Sequence, residues 1–138
     1  MNREVTINIT GSSSTEEGIF EEISVSEKGV YKHQGGMNYI SYYETDEETK
    51  EVIHNLIKLD GSHMEHTKRG MTDTVLRFEE EKEHETVYRT PYGELIMKVK
   101  TYKYEFENDR DAICANIEYE LYLNGSSFGT RNIMIEIK

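Results

Sequence analysis

Apolar and polar residues alternate with a period of two along most of this chain, and turn residues interrupt the alternation at short, regular intervals. Successive side chains of an extended strand point to opposite faces, so the pattern builds half-buried strands, whereas a helix would need a period of about 3.6. Val5, Ile7 and Ile9 open the chain as a strand that ends at a polar loop, Gly11-Ser12-Ser13-Ser14. Thr15-Glu16-Glu17 could cap a short helix, but the β-branched Ile23 and Val25 favour a strand over 19–25. Gly35-Gly36 separates strands 28–34 and 37–44, and Thr45-Asp46-Glu47-Glu48 leads to 51–59. Asp60-Gly61 predicts a type I′ hairpin into 62–69. After Gly70 come 73–79, the acidic run Glu79-Glu80-Glu81-Lys82-Glu83, and 84–90. Pro91-Tyr92-Gly93 turns into 94–106, Asn108-Asp109-Arg110-Asp111 leads to 112–123, and Asn124-Gly125 to 127–137.

These connections leave no room for βαβ crossovers, so the fold class is all-β, an antiparallel up-and-down meander of about 8–10 strands. With 138 residues the chain suits one domain, 1–138. Laid flat, such a sheet would expose two long edges, and a single proline, Pro91, is thin protection for them. Closing the sheet into a barrel removes the edges.

Register sharpens the expectation. A two-residue turn at Tyr92-Gly93 pairs Thr90 with Leu95, Tyr88 with Met97 and Thr86 with Val99, which turns Tyr88 inward and Arg89 outward. Ile113, Ala115, Ile117, Tyr119 and Leu121 share the inner face with Leu95, Met97 and Val99. A two-residue turn at Asn124-Gly125 would put Ile133, Ile135 and Ile137 on the wrong face. Either a three-residue loop, Asn124-Gly125-Ser126, or a bulge near Gly129 must correct it.

The charge excludes some functions. A formal net charge of −11 without a basic stripe argues against nucleic acid, and no polybasic or amphipathic segment suggests a membrane surface. The start, Met1-Asn2-Arg3-Glu4-Val5-Thr6, lacks the n- and h-regions of a secretory signal, and no apolar run could span a bilayer. With Cys114 the sole cysteine, these features suit a cytoplasmic, reduced protein, and the thiol reads as a bystander. His63 and His66 have opposite strand parity, so His63-Met64-Glu65-His66 reads as surface histidines rather than a metal site. No cofactor motif is present, and Ser12-Ser13-Ser14 lacks the frame of a nucleophile. The expectation is no metal, no cofactor and no catalytic residue.

Tyr39-Ile40-x-Tyr42-x-Glu44, Arg69-Gly70, Phe78, Tyr88-x-Thr90-Pro91-Tyr92-Gly93-x-Leu95, Thr101 and Tyr119-x-Leu121 together resemble the running pattern of the YwiB-like proteins. The resemblance runs from about Val5 to Ile137 and is most specific at 88–93. It implies a calycin-like, lipocalin-like β-barrel and a cytosolic bacterial protein. It implies no reaction, since that family is a domain of unknown function.

Two functional expectations follow. The first is a barrel that binds a small amphipathic molecule; the alternative is a protein-interaction module using the acidic outer surface, as a monomer or weak homodimer. An enzyme with a few barrel-mouth side chains ranks third. The candidate binding residues are Tyr42, Glu44, Arg69, Tyr88 and Thr90. Tyr42 and Glu44 share the parity of Ile40, and Arg69 could reach Glu44 if Gly70 or a bulge redirects it inward. The simple register instead pairs Arg69 with Val52 and leaves it on the outer rim.

Overall fold

The structure, a computed structural model, describes residues 2–15, 18–70, 73–109 and 111–138. The described residues form ten strands: β1 (Asn2–Thr15), β2 (Gly18–Gln34), β3 (Met37–Thr45), β4 (Val52–Leu59), β5 (His63–Arg69), β6 (Asp73–Glu79), β7 (Glu83–Thr90), β8 (Gly93–Asn108), β9 (Ile113–Leu123) and β10 (Ser126–Ile137). Each pairs antiparallel with its sequence neighbours, and β1 closes the ring on β10. The meander and its closure are as the alternation requires.

Several turns differ in detail. Ser12, Ser13 and Ser14 are not a loop but the end of β1, paired with Asn132, Arg131 and Thr130. Segments 19–25 and 28–34 merge into the single strand β2, which β1 pairs from Gly18 to Lys32. The proposed cap at Thr15-Glu16-Glu17 lies partly outside the described residues. Asp60-Gly61 is not a type I′ turn, since Gly61 has no positive φ. Instead Asp60 Oδ1 accepts from the Ser62 and His63 amides at 2.9 and 3.0 Å, an Asx-type turn centred one residue later. Thr90 pairs with Gly93 and Tyr88 with Leu95, so Pro91-Tyr92 is the turn, with proline at the position its fixed φ suits. Both shifts are by two residues, and so every side chain keeps its expected face.

At the last hairpin, Asn124 and Gly125 both have positive φ, 48° and 85°, and Ser126 pairs with Leu123. A bulge between Ser127 and Thr130, with Gly129 at φ 92°, then restores Ile133 opposite Ile117. Of the two corrections the register allowed, the bulge is the one used.

The interior is graded from one end to the other. Where β1 begins and β10 ends, Val5, Ile7, Ile40, Ile57, Leu59, Met64, Phe78, Ile117 and Ile135 are all buried, at 3% exposure or less. Phe78 and Tyr119 meet edge to face across the interior, centroids 4.8 Å apart. Asn38 fits among them because Tyr31 donates to its Oδ1 at 2.6 Å and its Nδ2 donates to the Leu59 carbonyl at 3.1 Å. The Tyr104 hydroxyl reaches the Asp60 and His63 carbonyls, at 2.6 and 3.0 Å, and ties the β4–β5 hairpin to β8 at this end. Towards the opposite end the inward positions are half-buried instead: Ile9, Glu44, Ile53, Lys68, Leu76, Tyr88, Leu95, Leu121, Arg131 and Ile133. The barrel is packed tightly at one end, and most of its inward side chains are more exposed towards the other, called here the open end.

Candidate functional site

The open end carries a row of polar side chains contributed by three successive strands. Ile40, Tyr42 and Glu44 share the inner face of β3, and their register partners on β4 are Ile57, Asn55 and Ile53. On β5 the same face holds Met64, His66 and Lys68, with His66 opposite Ile57 and Lys68 opposite Asn55. Polar residues therefore replace apolar ones at successive inward positions as β3 and β5 approach the open end.

The groups are linked. Asn55, fully buried, donates from Nδ2 to Glu44 Oε1 at 2.8 Å. His66 Nε2 lies 2.9 Å from Asn55 Oδ1 and 3.5 Å from the Tyr42 hydroxyl. Lys68 Nζ stands 3.7 Å from Glu44 Oε1. Burial, with the Lys68 charge nearby, lowers the His66 pKa from its ordinary 6.5 to about 3, so the ring is neutral. Burial and the Glu44 and Glu27 carboxylates raise the Tyr42 pKa, keeping the phenol protonated. The relay thus presents a neutral imidazole, a phenol, an amide and one ion pair to the open half of the interior.

Of the expected residues, Tyr42 and Glu44 are in this relay. Arg69 is not: it is exposed, pairs with His54 on the outer face, and its Nη1 lies 4.0 Å from Asp73 Oδ2. The strand runs on regularly into its pairing with β6, so nothing turns Arg69 inward, and Lys68 occupies the position by Glu44. Tyr88 is half-buried on the inner face opposite Leu95. Thr90 is committed to its hairpin, its hydroxyl donating to the Gly93 carbonyl at 2.9 Å and accepting from the Tyr92 amide at 3.1 Å. His66 is not a surface histidine, because it shares the parity of Met64. Asn55, His66 and Lys68 were missed, yet each interrupts an apolar parity that was legible in Ile53, Ile57, Leu59 and Met64.

The wall has one weak seam. Between β6 and β7 the register contains a single pair, Asp73 with Arg89. A cavity of about 170 Å³ opens there, lined by Arg77, His84, Thr86 and Val99 among others. A larger concavity, about 820 Å³, lies on the outside over β10, β1 and β9, where Thr10, Ser12, Asn116 and Asn132 line it. Cys114 faces outward, and burial together with Glu136, Asp109 and Glu107 pushes its thiol pKa up, against nucleophilic use.

Fold and site define a class: a closed ten-stranded antiparallel barrel, packed at one end and polar within at the other. The model of the family described as Domain of unknown function (DUF1934) matches residues 7–135, and the chain belongs to that family. Among solved structures it is similar to the ywiB protein from Bacillus subtilis, with a TM-score of 0.84 and 18% sequence identity over 99% of this chain and 92% of that one. That likeness speaks for the fold alone. The curated proteins contain no match.

Proposed function

We propose that the protein binds a small amphipathic molecule at the open, polar end of the barrel. The observation that supports this reading is the Tyr42–His66–Asn55–Glu44–Lys68 relay, which runs from the buried Tyr42 and Asn55 out to the half-buried Glu44 and Lys68. Buried polar groups are costly unless satisfied, and a core has no need of five in one row. Ile53, Leu76, Leu95 and Leu121 offer half-buried apolar surface for a ligand's body. Its polar head would meet the relay, and the packed end limits how far it can enter. Native mass spectrometry of the protein isolated from its own host is expected to give a discrete small-molecule adduct, which His66→Leu should remove. A single unliganded mass from gently handled material would overturn the reading.

A further inference from the structure

The bulge at Phe128-Gly129 has a second effect, on Arg131. It turns Arg131 inward together with Ile133, Ile135 and Ile137, whose parity it shares, so Arg131 stands on the inner face between Tyr119 of β9 and Ser13 of β1. Its Nε is buried without a hydrogen-bond partner, and no ion pair or ring contact holds the guanidinium among the described residues. An arginine inside a barrel ordinarily has a carboxylate, because a desolvated cation without a counter-charge is costly.

The inner-face acids already placed do not serve. Glu44 is bound to Asn55 and Lys68. Glu27 lies in the row of Ile7 and Ile137, six positions along β10 from Arg131. In the row of Arg131 itself, Glu21 stands opposite Ser13 in the register. Burial raises the Tyr119 phenol pKa and the Arg131 charge only partly offsets it, in keeping with a guanidinium near that ring. β10 and β5 are five steps apart in either direction round the barrel, so Arg131 and Lys68 face the open end from opposite walls.

We propose that Arg131 is the anion anchor of the open end, and that the molecule bound there is an amphipathic anion whose head forms a paired hydrogen bond with the guanidinium. This rests on the binding site proposed above and adds the sign of the ligand's charge. A net charge of −11 repels anions from the protein as a whole, so a preference for an anion has to come from a local cation.

The probes are octanoate, 1-octanol and octylammonium, which share an apolar body and differ in the charge of the head. Isothermal titration of the intact protein is expected to rank octanoate first, about tenfold or more over octanol, a ratio equivalent to about 1.4 kcal/mol. Arg131→Met should bring octanoate to the level of octanol while leaving octanol itself little changed. Arg131→Lys should keep part of the preference. Glu21→Gln should leave octanoate binding as strong or stronger. Thermal unfolding of each variant shows whether the fold is retained, and Arg131→Lys serves if Arg131→Met is not folded. Equal binding of octanoate and octanol, or a preference untouched in both Arg131 variants, overturns the anion anchor and spares the site. A loss in Glu21→Gln as large as in Arg131→Met also overturns it. Binding of no probe at all overturns both.

Discussion

Asn55 and Glu44 are joined across β3 and β4 by a 2.8 Å bond from Nδ2 to Oε1, and this one bond orients the whole relay. A carboxylate only accepts, so the amide must turn its NH₂ to Glu44 and its oxygen to His66. His66 Nε2 must then carry the proton on its 2.9 Å contact with Asn55 Oδ1. The tautomer follows from connectivity, not from an assigned hydrogen.

Replacing Asn55 with Ala should therefore cost more than a surface amide would. Two hydrogen bonds to other side chains are lost, and groups on both sides are left without partners in a region where Asn55 itself is fully buried. A loss of about 2–4 kcal/mol is expected, from about 1–3 kcal/mol for each unsatisfied group with partial relief by water from the open end. Urea unfolding, read at unchanged m-value, measures it.

The His66 ring should make stability fall in mild acid. Its folded pKa, about 3, lies below its ordinary 6.5, so between those values the unfolded chain binds the extra proton. The contribution is complete above pH 6.5 and drains away as pH falls towards 3. The slope approaches about 1.4 kcal/mol per pH unit for this one group. In the difference between wild type and His66→Gln, other titrating groups cancel to first order. That difference should shrink as pH drops from neutral towards 4, and a flat difference would show that the ring is charged or solvated in the folded protein.

How much of this was legible in the sequence depended on what parity can carry. Strand order, closure and the inner face of β8 and β9 came through because a shift of two residues at a hairpin leaves every face unchanged, as at Tyr88 and Leu95. The Gly129 bulge was also legible, since Ile133, Ile135 and Ile137 would otherwise face water. Turn type was not, because Asp60 can satisfy an ordinary Asx turn as readily as precede a type I′ one. Glu44 and Tyr42 were found through Ile40. His66 and Lys68 escaped because histidine and lysine read as surface residues unless their parity is followed from Met64. Arg131 escaped in the same way, since it shares the parity of Ile133, which the bulge turns inward.

Gly29 should tolerate no side chain. It faces inward beside Tyr42, and a Cβ there would stand 2.6 Å from both Ile7 Cδ1 and the Ser41 carbonyl oxygen. The isoleucine tip can rotate, but the carbonyl belongs to the β3 backbone and cannot move without disturbing the ladder. Gly29→Ala should cost about 1–3 kcal/mol, in the range of other overpacked sites. Gly11→Ala is the control. Its nearest neighbour is the Ile133 Cγ2 at 3.1 Å, a side-chain methyl that can give way. Thermal unfolding should rank Gly29→Ala clearly below Gly11→Ala.

Three double-mutant cycles around Glu44 separate the partners it has from the one it lacks. Arg69 lies on the outer face, exposed, with Asp73 Oδ2 at 4.0 Å from its Nη1, and shares no partner with Glu44. The cycle of Glu44→Ala with Arg69→Met should give a coupling under about 0.5 kcal/mol, the level of independent sites. Lys68 is closer, at 3.7 Å, but its side chain is 41% exposed, so solvent screens the pair and its coupling should stay within about 1 kcal/mol. Asn55 differs from both, because its bond is short, charge-assisted and removed from water. The cycle of Glu44→Ala with Asn55→Ala should return about 1.5–3 kcal/mol, the range for hydrogen bonds to charged groups. All three cycles are read by urea unfolding at neutral pH. A coupling to Arg69 larger than that to Asn55 would mean that the register of β5 is wrong by one residue, and the relay with it.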